Sequence, residues 1–258
     1  EDTNGILAGA IKTEVWNHYK GIAEAVGIKI CGIIPAPFAI AQGLQYYFEK
    51  TESVYDNYAV IDIGSKYTRV NFFKNNRFFF SREFNTGSDA LNEALMQLFV
   101  TNNNSLDNYK MAEALKRNLP AHIQDQKNYF GFSGKQIKVL LTPTYERWLS
   151  TIERTLEYIE ANFKIAQPEK IFLCGGGSFS DNFLGALRER FFNKKIDRLK
   201  LDILEDFSDR EINSDFLVSY GLASTMKPHV NIVDEENKVE FLEYSTFKLL
   251  FRFLPVWL

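Results

Sequence analysis

Apolar positions along the chain switch repeatedly between a spacing of two and a spacing near 3.6, the alternation of strands and helices that builds an α/β fold. Ile6–Ile11 suits a strand, and Thr13 is placed to cap a helix that carries Val15, Trp16, Tyr19, Ile22, Ala23 and Val26 on one face, with Gly27 as its stop. Ile28–Ile34 is apolar almost without interruption, as a buried strand would be. Pro35-Ala36-Pro37 breaks it, and a helix follows through Phe38, Ala41, Leu44 and Phe48. Tyr58–Ile63 is a second apolar strand ending at Gly64, and Thr68–Phe73 and Arg77–Phe84 flank Asn75-Asn76 as a hairpin.

Further along, helices are predicted near 87–101, 107–117 and 143–163. Thr142 caps the last of these, Pro143 lies in its first turn, and Leu149, Ile152, Leu156, Ile159 and Phe163 form its apolar stripe. Lys170–Cys174 is another buried strand, running into Gly175-Gly176-Gly177, after which Ser180 and Asp181 open a helix. Leu199–Leu204 and a helix near 214–226 complete the pattern, and 101–108 is the most loop-like stretch. Beyond Lys227-Pro228 the regularity is lost: an acidic turn at Asp234-Glu235-Glu236 leads to Phe247–Leu258, FKLLFRFLPVWL.

Composition narrows the class. Of 258 residues, 45% are hydrophobic, 24% charged and 15% aromatic, which excludes disordered, collagen-like and disulfide-stapled chains. A formal net charge of −3 argues against a surface built to neutralise nucleic acid or anionic lipid. Cys31 and Cys174 sit in apolar surroundings and read as buried free thiols of a cytosolic protein, a single disulfide being the alternative. No signal peptide is visible at Glu1-Asp2-Thr3-Asn4, and the first methionine is Met96, so the start reads as a processed end or as part of a longer chain. The last twelve residues are too few to span a bilayer at ~1.5 Å rise each. They read as an amphipathic terminal element or as the opening of a membrane segment.

Three stretches carry candidate chemistry. In Asp62-Ile63-Gly64-Ser65-Lys66-Tyr67-Thr68 a carboxylate at a strand end can hold hydrated Mg²⁺, Gly64 lets the backbone turn near an anion, and Ser65 and Thr68 offer hydroxyls to phosphate. Taken alone, it better describes an ordinary strand-end turn with capping hydroxyls. Gly175, Gly176 and Gly177 between strand and helix permit close approach of a flat or phosphorylated ligand, although they match neither a dinucleotide fingerprint nor a P-loop. Glu113 and Lys116 share a helix face, which by itself suggests a solvated ion pair.

Together and in this order, the three resemble the actin-like ATPase superfamily, and within it the branch that holds the type IV pilus assembly protein PilM and the division protein FtsA. The resemblance implies a two-lobed α/β fold, actin-like and ribonuclease H-like. Asp62, Gly64 and Thr68 match its second phosphate motif, Glu113 and Lys116 its ribose- and adenine-facing helix, and Gly175, Gly176 and Gly177 its adenosine loop. Pro37-Phe38-Ala39-Ile40-Ala41 is similar to the first connecting helix and Tyr220-Gly221-Leu222-Ala223 to the second. Ser81–Gly87 resembles the strand and turn after the phosphate hairpin, with Ser88 where relatives carry a second glycine. ATP and Mg²⁺ are the implied cofactors.

The motif order starts just before the first connecting helix, so the first lobe is expected to be incomplete. The expected division is 1–57 for the rest of that lobe, 58–212 for the second lobe, 213–226 for the second connecting helix and 227–258 for a tail facing a membrane or partner. Without a first phosphate loop, nucleotide binding is expected to be weak. Ala36, before Pro37, can neither take a proton nor hold a water, so at most slow ATP hydrolysis is expected. The resemblance implies a cytoplasmic scaffold at the inner face of the membrane, docking a membrane-anchored pilus or secretion protein, with self-association and no nucleic-acid partner. A small-molecule kinase of the same superfamily and an FtsA-type filament protein are the alternatives.

Overall fold

The computed structural model describes residues 10–30, 32–51, 54–99, 105–201, 212–224 and 230–233. Two helices come first, α1 (Thr13–Ala25) and α2 (Ala36–Thr51), followed by a meander of β1 (Asn57–Ile63), β2 (Thr68–Lys74) and β3 (Arg77–Phe84). Then come α3 (Asp89–Met96), α4 (Ser105–Asn118), the small hairpin β4 (Asn128–Tyr129) and β5 (Phe132–Ser133), and the long α5 (Gly134–Phe163). The last described part holds β6 (Lys170–Cys174), α6 (Asp181–Arg190), β7 (Lys195–Arg198), the short pair β8 (Lys200–Leu201) and β9 (Ile212–Asn213), and α7 (Leu217–Ser224).

The main sheet has the order β3-β2-β1-β6-β7, antiparallel on the β1–β2–β3 side and parallel from β1 through β6 to β7. The mixed sheet puts the chain in the α/β class that the period switching predicts. From Tyr58 to Ile63 every residue of β1 is buried, because helices cover both faces of the sheet. Ala59, Ile61, Ile63 and Val70 pack on one side against Leu91, Leu95, Leu115, Ile137, Trp148 and Ile152 of α3, α4 and α5. Tyr58, Val60, Phe73 and Phe172 pack on the other against Ile40, Leu44 and Phe48 of α2 and Leu217 of α7. Each large side chain buried this way contributes ~1.5–3 kcal/mol.

The turn at Asn75-Asn76 has both residues left-handed, at φ 49° and 59°, the geometry that matches the twist of a two-residue hairpin. α2 and α7, the pair expected to connect the lobes, cross in close contact. A Cβ on Gly221 would overlap the carbonyl of Ala39 and come within 3.1 Å of the Gly43 nitrogen, so the crossing needs a residue without a side chain there.

Several expectations are corrected. The helix expected at 143–163 begins at Gly134, where Ser133 and Gln136 form a reciprocal capping box, so Thr142 is an interior residue and not the cap. Ile137 and Leu141 already continue the apolar stripe, and Pro143 is tolerated because Val139, whose carbonyl loses its partner, lies on the exposed side. Lys12, not Thr13, is the N-cap of α1, and no residue of that helix is buried: Val15, Tyr19, Ile22 and Val26 are exposed. The described residues of Ile28–Ile34 form no strand. Ile33 donates to the Asn231 side chain and accepts from the Ile232 N–H, two bonds that fall short of a ladder, and Ile28 is exposed.

The helix expected at 87–101 is α3 followed by a 3-10 turn over Gln97–Phe99. β7 has no counterpart in the sequence reading, since only Ile196 of its four residues is buried. Of Leu199–Leu204, Lys200–Leu201 pairs with β9, and 202–204 lie outside the described residues. Most of Ile6–Ile11, Cys31 and the Phe247–Leu258 tail also lie outside them. No described helix is long and apolar enough to cross a membrane.

Replacing Gly221 by Ala is expected to cost about 1–3 kcal/mol through overpacking at the α2–α7 crossing. Urea unfolding should show the midpoint falling with an unchanged slope; an unchanged midpoint would mean that the helices separate without penalty.

Candidate functional site

β1 and β6 run side by side in the same direction, with Asp62 opposite Cys174, so the turn after one strand and the glycine run after the other emerge at the same edge. The carboxyl ends of parallel strands are where open α/β sheets hold ligands. The Gly64 N–H donates to the Tyr67 carbonyl and closes a tight turn, on which Ser65, Lys66 and Tyr67 are exposed. The carbonyls of Gly64 and Ser65 accept from the N–H groups of Ser88 and Asp89, so the first donors of α3 hold the turn in place. Backbone of Gly64 and Ser65 lies where a Cβ on Gly87 would be, which ties the Ser81–Gly87 element to the turn.

Thr68 is fully buried, and its hydroxyl donates to the Thr86 carbonyl at 2.7 Å and accepts from the Trp148 indole N–H at 3.1 Å. This candidate phosphate hydroxyl is therefore an internal tie between β2, α5 and the turn before α3. Arg69, the next residue, points to the opposite face. Its Nη1 lies 3.3 Å from Oδ2 of Asp62, and its Nε is also paired with Glu83 of β3. Burial raises the Asp62 carboxyl above its ordinary range, and the Arg69 guanidinium opposes that rise.

Gly175 has φ of +80°, and a Cβ there would strike the backbone of Ile63 and the Asp62 carboxylate, so the loop after β6 packs directly on the end of β1. A Cβ on Gly177 would overlap the Ile63 side chain at 2.3 Å and come within 3.1 Å of the Ser88 Cβ. Gly176 differs: it is exposed, with nothing within 4 Å of where a side chain would begin. Below the loop, the Ser214 carbonyl accepts from the Gly175 N–H. The N-terminus of α6 is capped by the Ser180 hydroxyl, and Asp181 at its start is paired with Arg198.

Glu113 and Lys116 do not pair as the sequence suggests. Glu113 accepts from both Nε and Nη2 of Arg117, one turn on, through a single carboxylate oxygen, whereas Lys116 is buried, with its ammonium 3.5 Å from the Ser88 carbonyl. Desolvation lowers the Lys116 pKa, and nearby Glu113 and Asp89 work against that shift. Lys116 thus reaches the same Ser88 that touches Gly177. The second and third motifs meet there, beside the turn that carries the first.

The family model of the type IV pilus assembly protein PilM matches residues 1–216. This chain belongs to the PilM family. Among solved structures, a PilM–PilN type IV pilus biogenesis complex has a TM-score of 0.62 at 20% identity, over 82% of this chain and 57% of that one. The ethanolamine utilization protein EutJ from Carboxydothermus hydrogenoformans gives 0.55 at 14% identity over 85% and 63%. MreB5 of Spiroplasma citri bound to ADP gives 0.55 at 16% identity over 84% and 65%. At these identities the likeness establishes the actin-like fold. The chain spans 57% to 65% of the length of these structures. No curated protein matches the sequence.

In this PilM-family chain the three motifs gather at one sheet edge, while two of their side chains act differently from expectation: Thr68 faces the interior, and Glu113 is paired outward. Arg69 and Trp148 were missed. Arg69 is recoverable from the sequence, since counting outward from a turn at 64–67 places it opposite Asp62; Trp148, eighty positions from Thr68, gives no local signal. The surroundings of Asp62 do not fit Mg²⁺. The carboxylate is nearly buried and already paired with a guanidinium, which stands where a hydrated cation would have to approach.

Thr68→Val is expected to cost about 1–3 kcal/mol by leaving the Thr86 carbonyl and the Trp148 N–H unpaired. Combining it with Trp148→Phe should cost less than the sum of the two single changes by at least ~0.5 kcal/mol. Strict additivity in chemical unfolding would show that the two side chains are energetically independent.

Proposed function

We propose that this chain serves as an actin-like scaffold of a type IV pilus machine, holding an adenine nucleotide weakly and docking a membrane-anchored partner at the cytoplasmic face. The observation that carries the nucleotide reading is the convergence of the 64–67 turn, the open Gly176 and the buried Lys116 at the carboxyl edge of β1 and β6. Membership of the PilM family supports the pilus role, and the solved PilM–PilN complex supports a partner of the PilN kind.

In this reading the exposed N–H groups and hydroxyl of the Ser65–Tyr67 turn, with the Lys66 ammonium, face phosphate, while Gly176 admits the flat face of the base. Lys116 holds the Ser88 carbonyl side of the cleft and supplies a cation near the sugar and phosphates. A nucleotide bound there would supply a negatively charged bridge between the turn and the glycine loop. Hydrolysis is not part of the role: Ala36 starts α2 with no group able to orient water, so nucleotide acts as a brace and turnover is slow at most.

Isothermal titration with ATP tests this. The expected dissociation constant is weaker than about 10 µM, a binding free energy smaller than ~7 kcal/mol. Gly176→Val, whose side chain enters open space within the protein, should weaken binding at least tenfold while leaving the thermal midpoint unchanged. Heat signals indifferent to that substitution would place the nucleotide elsewhere. Co-precipitation with the cytoplasmic segment of a PilN-type protein tests the partner, and failure to retain it would argue against the scaffold role.

A further inference from the structure

Across the main sheet four residues stand in one row on the α2 side: Glu83 on β3, Arg69 on β2, Asp62 on β1 and Cys174 on β6, each in register with the next. Asp62 is the carboxylate whose place at a strand end, beside a glycine turn, suits a hydrated divalent cation. In this chain another cation is already there. The Arg69 guanidinium sits 3.3 Å from its Oδ2 and is held on its other side by Glu83.

We propose that Arg69 takes the place of the divalent metal, so that this chain engages phosphate-bearing ligands without Mg²⁺. The inference rests on the nucleotide reading for its ligand, but its statement about metal stands on the ion triad alone. Three features support it. Mg²⁺ demands near-ideal octahedral geometry and keeps several of its waters, whereas the Asp62 side chain is only 11% exposed. The guanidinium cannot lose its proton to make way for a second cation, and its planar fork is fixed by carboxylates on two strands. The triad holds two carboxylates and one guanidinium on adjacent strands in direct register, so the sheet itself supplies the cation that neutralises Asp62.

The cross-strand geometry shows how Glu83 comes to clamp Arg69. The β2–β3 ladder shifts by one residue between Phe72 and Phe73, so Glu83 stands opposite Arg69. Counted from the Lys74–Arg77 end without that shift, Arg82 would face Arg69, and two like charges would oppose each other. The bulge therefore converts a repulsive pair into the clamp that orients the guanidinium toward Asp62. With Arg69 removed, Asp62 is left as a nearly buried carboxylate without its counter-ion, which a metal ion can then satisfy.

The test titrates Mn²⁺ alone, with free ion read by electron paramagnetic resonance, into the wild type, Asp62→Asn, Arg69→Gln, Arg69→Lys and the Arg69→Gln/Asp62→Asn double variant. Expected are equal, background binding by the wild type, Asp62→Asn and Arg69→Lys, and one site at least tenfold tighter in Arg69→Gln that the double variant loses. A wild-type Mn²⁺ site that Asp62→Asn abolishes, or an Arg69→Gln protein that folds and binds no tighter, overturns the proposal. If Arg69→Gln does not fold, the wild-type and Asp62→Asn comparison decides. A parallel ATP titration of the wild type in EDTA and in Mg²⁺ should agree within twofold; a tenfold gain with Mg²⁺ also overturns it. No ATP binding in either buffer would sink the nucleotide reading while the Mn²⁺ result still judges Arg69.

Discussion

The parallel pairing of β1 with β6 is the constraint from which the rest follows. Both strands are apolar and buried, β1 on both of its faces, so their mutual register is fixed by side chains that fit only with helices above and below. That register places Asp62 beside Cys174 and sends two turns out of the same edge. Their contact is close enough that Gly175 must lack a side chain. Cys174 is drawn into the same arrangement: burial, and then the neighbouring Asp62, push its thiol pKa well up, which makes it inert packing material and not a reactive group.

On β2 the two-residue alternation divides the labour at this edge. Thr68 turns toward α5 and is bonded to Trp148, which stacks on Phe183 of α6 at 4.1 Å between ring centroids. Arg69 turns toward α2 and meets Asp62. One residue fastens the 64–67 turn to the helical layer that supports it, and the next sets the charge beside Asp62. The turn is held again from α3, whose leading N–H groups bond the Gly64 and Ser65 carbonyls. A rigid edge of this kind suits a brace that holds a ligand in place better than it suits a site that must rearrange during turnover.

Much of this was legible in the sequence, for identifiable reasons. The hairpin at Asn75-Asn76 was readable because the left-handed turn demands such residues, and β1 and β6 because strands buried on both faces are continuous apolar runs. The start of α5 was misplaced because Pro143 resembles a first-turn proline, and the capping box at Ser133 lies behind a short hairpin with no period of its own. The composition of Ile28–Ile34 suits a strand, yet a strand also needs partners, and the described chain offers only Asn231 and Ile232. At the site, motif spacing located the edge but not the pairing. Glu113 had two cations within reach, and only the burial of Lys116 decided for Arg117. The bulge that aligns Glu83 with Arg69 is a property of the assembled sheet and leaves no trace in the residue pattern.

The central claim is that the motifs of this PilM-family chain form one nucleotide-holding edge at the carboxyl ends of β1 and β6. The most direct measurement is the change in backbone amide resonances of ¹⁵N-labelled protein as ATP is added in the presence of EDTA. The account predicts graded shifts confined to the Gly64–Tyr67 turn, the Gly87–Asp89 segment, the neighbourhood of Lys116 and the Gly175–Ser178 loop. Shifts that cluster elsewhere on the sheet, or none at saturating ATP, would contradict it.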